Sequence, residues 1–189
     1  VDSYMKLCTD QGTNDSATLS FVNLKKIGNV YNAFVKMSSE MSDVSSNVTS
    51  FRQITKEATR TQYFGTRTEN EGYTNMIDLG DLARNTNEVL SNSASEVLSA
   101  IENAVVYERH GDDRGKAMGI SVFYPVNSDA SELDHVAAGT TNGPYLAFLD
   151  AMCDYWQAPS WVYEASAKKS KNDIRVSRSF NPVRSKNYS

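Results

Sequence analysis

The sequence lacks the residues and motifs that mark several common enzyme classes. Its 189 residues include only two cysteines, two histidines and four prolines. There is no Gly-x-Ser-x-Gly elbow, no His-Glu-x-x-His pair and no glycine-rich phosphate loop. Serine hydrolase, zinc peptidase and phosphotransfer chemistry therefore have no support. Apolar runs are also too short for the ~18 residues of a membrane-spanning helix, so we expect no membrane span.

The cysteines and histidines are too few for a structural zinc site. Cys8 and Cys153 are widely separated, no Cys-x-x-Cys pair occurs, and His110 and His135 are the only imidazoles. Structural zinc requires four such ligands at short spacings. We expect no metal and no cofactor, and the sequence leaves open whether the two cysteines form a disulfide.

Charge divides the chain into two parts. The net charge is −4, but Lys168 to Lys186 holds seven basic residues and one acid, Asp173. We interpret residues 1–164 as a helix-rich domain and residues 165–189 as a basic, solvated tail. The tail has only two aromatic side chains, Phe180 and Tyr188, so nucleic-acid binding has little support.

Apolar spacing predicts an α+β fold that is predominantly helical, with amphipathic helices packed around a few strands. Leu24, Ile27, Tyr31, Phe34 and Val35 predict a helix over 21–38 with Ser20 as its N-cap. Further helices are predicted over 43–62, packed antiparallel on the first, and over 75–83, 87–103 and 144–157.

Two β-branched and aromatic runs predict strands near 104–108 and 119–124. The segment between them could close a hairpin or join strands that are not neighbours. Residues 63–73 have no apolar periodicity and predict a surface loop, and Trp161 to Tyr163 predicts a last packed element.

His110-Gly111 and Asp150-Ala-Met-Cys153 superficially resemble the His-Gly and Asp-Ala-Cys elements of caspase-like peptidases. A nucleophilic thiolate needs an adjacent base and access to the substrate. Cys153, however, shares a helical stripe with Leu149 and Met152, which predicts a packed thiol. We therefore interpret Cys153 as a core residue and His110 as a loop residue. Cys8 precedes every predicted strand and has no helper in the sequence.

Four aspartates are candidate cation ligands: Asp78, Asp81, Asp112 and Asp113. Asp112 and Asp113 are charge-compensated by Arg114 and lack the regular oxygen spacing of a calcium loop. A solvated loop is the simpler interpretation.

Four segments resemble the clostripain family of cysteine peptidases: VDSYM at Val1–Met5, ATLSFVNLK at Ala17–Lys25, YTNMIDLGDLA at Tyr73–Ala83 and KAMGISVFYP at Lys116–Pro125. In that family a Thr-Leu-Ser run opening a helix, an Asp-Leu segment and a Gly-(Leu/Ile)-Ser-(Ile/Val)-aromatic-aromatic-Pro strand follow the catalytic cysteine in this order. The last of these is the most specific.

The resemblance implies the C-terminal part of a bacterial, secreted or cell-surface peptidase with a caspase-like αβα core. Cleavage after basic residues would rely on a His/Cys dyad upstream of Val1, so no residue here inherits a catalytic role. The expected partners are the N-terminal catalytic part of the same peptidase and a peptide or protein substrate. The alternative is an independent helical interaction domain without an enzymatic parent.

Overall fold

A computed structural model describes residues 2–65, 67–68, 72–73, 75–125 and 133–157. The predicted element at Trp161 to Tyr163 and the basic tail lie outside these residues. The α-helices are α1 Asp2–Asp10, α2 Ile27–Val44, α3 Val48–Arg60, α4 Leu79–Thr86, α5 Ser91–Ala104, α6 Leu133–Gly139 and α7 Gly143–Gln157. The strands are β1 Thr18–Val22, β2 Tyr63–Phe64, β3 Arg67–Thr68, β4 Gly72–Tyr73, β5 Met76–Asp78, β6 Val105–His110 and β7 Ser121–Phe123.

The described strands form three small antiparallel sheets, which confirms a mixed α+β fold dominated by helices. Their strand orders are β1-β6, β2-β5-β7 and β3-β4. The two strands predicted near 104–108 and 119–124 are both present, as β6 and β7. They belong to different sheets, so the segment between them does not close a hairpin.

One apolar core lies beneath the helices. Side chains without exposed surface include Met37, Ile54, Leu82, Phe148 and Leu149. Burial of such residues, each stabilising by roughly 1.5–3 kcal/mol, dominates folding. Helix α2 packs chiefly against α5 and α7, and it also contacts α3, the helix that was predicted to pack antiparallel on it.

The helix predicted over 21–38 is wrong at its start. Residues Thr18–Val22 form β1, and α2 begins only at Ile27. Ser20 is not an N-cap, because its hydroxyl donates to the carbonyl oxygen of Gly119 at 2.8 Å. Pairing with β6, distant in sequence, overrides the local helical pattern. It also overturns the expectation that the Thr-Leu-Ser run opens a helix.

The predicted apolar stripe of this helix is also partly wrong. Leu24 is 78% exposed, and Ile27 and Tyr31 are 38% and 40% exposed. The buried face instead includes Val30 and Met41. Phe34, a member of the predicted stripe, is buried as expected, so the buried face of α2 overlaps the predicted one only in part.

The predicted helix over 43–62 begins later than expected, because α2 continues to Val44. Asn47 caps α3, and its Oδ1 accepts from the backbone N–H groups of Thr49 and Ser50 at 3.0 and 3.1 Å. An Asn in this position satisfies donors that the first helical turn leaves without partners. The chain turn between the helices therefore comes at Ser45–Asn47.

The segment from 63 to 83 differs most from prediction. The expected surface loop at 63–73 contains β2, β3 and β4, and the helix expected at 75–83 opens with β5. Tyr63 pairs with Ile77, and Ile77 pairs in turn with Val122. A three-residue strand carries too little periodicity to be separated from a helical turn in the sequence.

The two later helices agree closely with prediction. The helix expected over 87–103 is α5, which starts at Ser91 because α4 extends to Thr86. The helix expected over 144–157 is α7, capped by Asn142, whose Oδ1 accepts from the N–H of Tyr145. The Tyr145 hydroxyl donates to the carbonyl of Phe123 at 2.7 Å and ties α7 to β7. None of the helices in the described ranges combines the length and apolar character needed to cross a bilayer.

Candidate functional site

His110 ends β6, in a different part of the fold from Cys153. Its Nδ1 lies 2.9 Å from Oε2 of Glu108, and the two side chains are 33% and 18% exposed. Glu108 and His110 are two residues apart on one strand, so both side chains lie on the same face of the sheet. The open pocket beside them, about 400 Å³, is lined by Met5, Thr9 and Asn14 among others.

Cys153 lies in α7 and has no exposed surface. It belongs to the main apolar core, together with Leu149 and Met152, as its helical stripe predicts. Helix α7 packs against α2 and α6, whereas β6 packs against β1 and α5. The sulfur therefore lacks the solvent access that a nucleophile needs.

Cys8 lies on α1 and is also buried, with 8% of its surface exposed. The cysteines do not form a disulfide with each other. A hydrogen bond with Cys8 raises the pKa of the Tyr4 phenol, so Cys8 is paired with a tyrosine rather than with an imidazole. His135 lies in α6, and its side chain is outside the described residues.

Asp78 and Asp81 meet at the start of α4, where both are almost fully buried. Asp78 is the N-cap: its Oδ1 accepts from the N–H of Asp81 at 2.8 Å. Its Oδ2 accepts from the N–H of Met118, also at 2.8 Å. One carboxylate thus caps a helix and holds the segment that leads into β7.

Asp81 continues this polar cluster on its other side. Its Oδ2 accepts from the backbone N–H of Gln62 at 2.8 Å, and its Oδ1 pairs with Arg84 at 3.3 Å. The Gln62 amide in turn donates to the carbonyl of Tyr63. Because these carboxylate oxygens are occupied by protein donors, the pair is a structural junction between β2, α4 and β7.

Burial raises the pKa of Asp78 above its ordinary value of 3.8, and the neighbouring Asp81 charge adds to the rise. Hydrogen bonds from Met118 and Asp81 act in the opposite direction but are outweighed. The folded state therefore holds this proton more tightly than the unfolded state does. Stability from this group is fully present below about pH 3.8 and is lost as pH rises through the raised pKa.

We expect Asp78→Asn to remove this pH dependence. The amide retains helix-capping ability but carries no proton to lose. The free energy of unfolding of the native chain minus that of the variant should decrease between pH 4 and neutral pH, measured by urea unfolding in parallel buffers. A difference that stays constant or grows with pH would contradict the raised pKa.

Asp112 and Asp113 do not join the other aspartates. They lie in a 3-10 helix, Asp112–Arg114, and both are exposed. Arg114 instead donates to the carbonyl of Tyr63 at 3.1 Å and stacks over its ring. Among the residues that can be described, no group of three or more His, Cys, Asp or Glu side chains could hold a metal ion.

The sequence reasoning did not identify an exposed apolar surface on the β1-β6 sheet. Phe21 and Tyr107 are cross-strand partners with ring centroids 6.3 Å apart in an edge-to-face arrangement. Phe21 is 51% exposed and Val106, on the same strand as Tyr107, is 71% exposed. The alternation of Leu19 and Phe21 with polar residues was the available signal.

Comparison with known proteins gives no match to any family model, curated protein or solved structure.

Proposed function

We propose that this chain is the non-catalytic C-terminal part of a clostripain-like cysteine endopeptidase, which as a whole hydrolyses peptide bonds after basic residues. The parent would be a bacterial, secreted or cell-surface enzyme with a caspase-like αβα core. Its His/Cys dyad would lie in the N-terminal catalytic part, and this chain would hold that part in place. The observation that carries the proposal is the complete burial of Cys153 in a helix, which leaves this chain without an accessible thiol beside His110.

Two of the segments that resemble the family lie in one structural unit, which supports the proposal. The Asp-Leu segment supplies β5 and the start of α4, and the Gly119 to Pro125 segment supplies β7, which pairs with β5. Asp78 joins them further through the N–H of Met118. Residues that resemble a family pattern but are distant in sequence would be expected to meet in this way if the pattern has a structural basis.

The exposed β1-β6 surface supports a packing role. A two-stranded sheet is marginally stable alone, and this one presents Phe21 and Tyr107 on its outer side. Among the described strands β1 pairs only with β6, so alternate backbone groups of β1, those of Thr18 and Ser20, point away from that partner. An adjoining domain of the same peptidase would cover both the rings and the strand edge.

The proposal predicts that Cys153→Ala leaves proteolysis nearly unchanged. The upstream coding region and this chain would be expressed together and assayed on a peptide with Arg or Lys before the scissile bond. We expect activity within about twofold of the native level, whereas loss of a nucleophile costs on the order of 10⁶-fold. Cys8→Ala is the matched control. Hydrolysis by this chain alone that disappears in Cys153→Ala would refute the proposal.

An independent helical interaction domain is the second candidate, and the exposed Phe21 and Tyr107 rings favour it equally. The two candidates differ in what precedes Val1. An upstream His-Gly strand and an Asp-Ala-Cys strand in the same reading frame would support the peptidase. A reading frame without them would leave the interaction domain.

A further inference from the structure

The outer edge of β1 lacks the features that normally prevent one strand edge from pairing with another. Its five residues, Thr18–Val22, include no charged side chain and no proline, the residues that most often block an edge. The bulge in the β1-β6 pair lies in β6, where Val106 is the extra residue, so β1 itself is regular. None of the described strands continues the sheet beyond β1, and an open pocket of about 440 Å³ borders its first three residues. This edge is available to another strand.

The hydrogen bonds to β6 determine which backbone groups of β1 are free. At one end the Gly111 N–H donates to the Ala17 carbonyl, and at the other the Asn23 N–H donates to the Ala104 carbonyl. In an antiparallel pair, residues bonded to the partner alternate with residues whose backbone groups face away from it. The residues between these ends whose groups face the open edge are Thr18, Ser20 and Val22. The free donors and acceptors are therefore evenly spaced and centred on Ser20.

The sequence of β1 is complementary to itself when a second copy runs antiparallel with Ser20 opposite Ser20. Thr18 then faces Val22 of the second copy, so two β-branched residues meet. Leu19 faces Phe21 of the second copy, so two apolar side chains meet on the outer face of the sheet. The free backbone groups of the two edges form about six hydrogen bonds in this register.

Charges at the ends of β1 also favour an antiparallel second copy. Asp15 precedes β1, Lys25 and Lys26 follow it, and all three side chains are exposed. The antiparallel arrangement places the acidic end of each copy beside the basic end of the other, whereas a parallel one would bring like charges together. The two Glu108 side chains, each opposite Ser20 on β6, are then three strand spacings apart, roughly 14 Å. That separation exceeds the ~8 Å Debye length at physiological salt, so their repulsion is screened.

We propose that the open edge of β1 pairs with β1 of a second copy of this chain, across a twofold axis at Ser20. The product is one four-stranded sheet in the order β6-β1-β1-β6. Stable interfaces bury roughly 1,200–2,000 Å², more than a five-residue edge provides, so we expect a dissociation constant between about 10 µM and 1 mM. The inference goes beyond the proposed function, because it requires no upstream domain. In a parent peptidase the adjoining domain would cover the same edge and exclude the second copy.

Sedimentation velocity of the full chain from about 10 µM to 1 mM tests the proposal, and we expect a reversible monomer–dimer equilibrium. Thr18→Pro removes an N–H that faces the open edge and none that bonds β6. Ala17, at φ −73° and ψ 145°, already has the extended conformation that precedes proline. Thr18→Pro should weaken the dimer at least tenfold, whereas Thr18→Val, the matched control, should stay within about twofold of native. A monomer at the highest concentration, or equal dimerisation of both variants, would overturn the proposal.

A disulfide experiment tests the register without relying on the Thr18→Pro variant. Chains with Leu19→Cys and chains with Phe21→Cys, both also containing Cys8→Ala, are mixed in equal amounts and oxidised with oxidised glutathione. In the proposed register the thiols of unlike chains are directly opposite, with Cα atoms about 4.5 Å apart, which a disulfide can span. Thiols of like chains are diagonal neighbours, about 7–8 Å apart. The crosslinked dimer, identified by mass, should therefore join unlike chains, and a statistical mixture of the three products would refute the register.

Charge reversal tests the contact between the strand ends. Asp15→Lys should raise the dissociation constant of the dimer several-fold, because an exposed pair of opposite charges becomes a pair of like charges. Adding Lys25→Asp to the same chain should restore native affinity, because opposite charges meet again. A double variant as weak as Asp15→Lys alone would contradict the antiparallel arrangement.

Discussion

Replacing Asp78 with alanine is expected to reduce the free energy of unfolding by about 3 kcal/mol. Loss of an N-cap costs roughly 0.5–2 kcal/mol, and the Met118 N–H, left without its acceptor, costs roughly 1–3 kcal/mol more. Relief from burying a carboxylate offsets part of this. The Asp78 carboxylate accepts both hydrogen bonds, from the N–H groups of Asp81 and Met118, each at 2.8 Å. One substitution therefore removes the α4 cap and the link to the segment that leads into β7.

The measurement is urea unfolding at neutral pH, with the transition midpoint and its slope compared between variants. We expect a lower midpoint with an unchanged slope. Asp43→Ala, at an exposed position on α2, is the control and should change stability by less than about 0.5 kcal/mol. If Asp78→Ala also changed the free energy of unfolding by less than about 0.5 kcal/mol, the hydrogen bonds of Asp78 would not be important for stability.

The Gly111→Ala substitution is expected to destabilise the N-terminal segment by about 3 kcal/mol, at the upper end of overpacking costs. A Cβ at this position would lie 1.8 Å from the carbonyl oxygen of Asn14 and 2.6 Å from backbone atoms of Asp15. Backbone atoms cannot turn aside as a side chain can. The Gly111 N–H to Ala17 carbonyl bond, 2.9 Å long, must then lengthen or break.

Gly115→Ala is the matched control, because its Cβ would make only an ordinary 3.6 Å contact with the Asp112 carbonyl. Stability is again measured by urea unfolding. Thiol labelling gives a second readout, since displacement of α1 should expose the Cys8 sulfur while Cys153 stays buried. Equal stability of the two alanine variants would show that the 3-10 helix at Asn14–Ser16 can shift freely.

Local sequence was sufficient where an element is long and its buried face is continuous. Helix α7 and the burial of Cys153 follow from apolar residues spaced three or four apart over four helical turns. The expected helix at 87–103 is likewise α5 with a later start. For these segments the helical period repeats often enough to leave one interpretation.

Local sequence failed for short strands. Residues 21–22, with Ser20 as N-cap, and residues 76–78 were assigned to helices, although β1 and β5 both pair with strands more than 40 residues away in the sequence. The alternation of Leu19 and Phe21 was a usable strand signal, but five residues also fit slightly more than one helical turn. Only the presence of β6 decides between the two.

The candidate site shows the same division. The four aspartates were grouped as possible ligands from composition, yet the fold buries Asp78 and Asp81 as backbone acceptors and leaves Asp112 and Asp113 in solvent. The outward position of Phe21 depends on how β1 pairs with β6.

The sequence by itself determined the helical character of the chain, the helix that contains Cys153 and the residues that resemble a peptidase family. These features depend on neighbours within one or two helical turns. Only the tertiary structure decided which short segments are strands, which carboxylates receive backbone N–H groups and which apolar side chains stay exposed. Strand pairing and burial depend on contacts between residues far apart in the chain, and a local pattern contains no information about those partners.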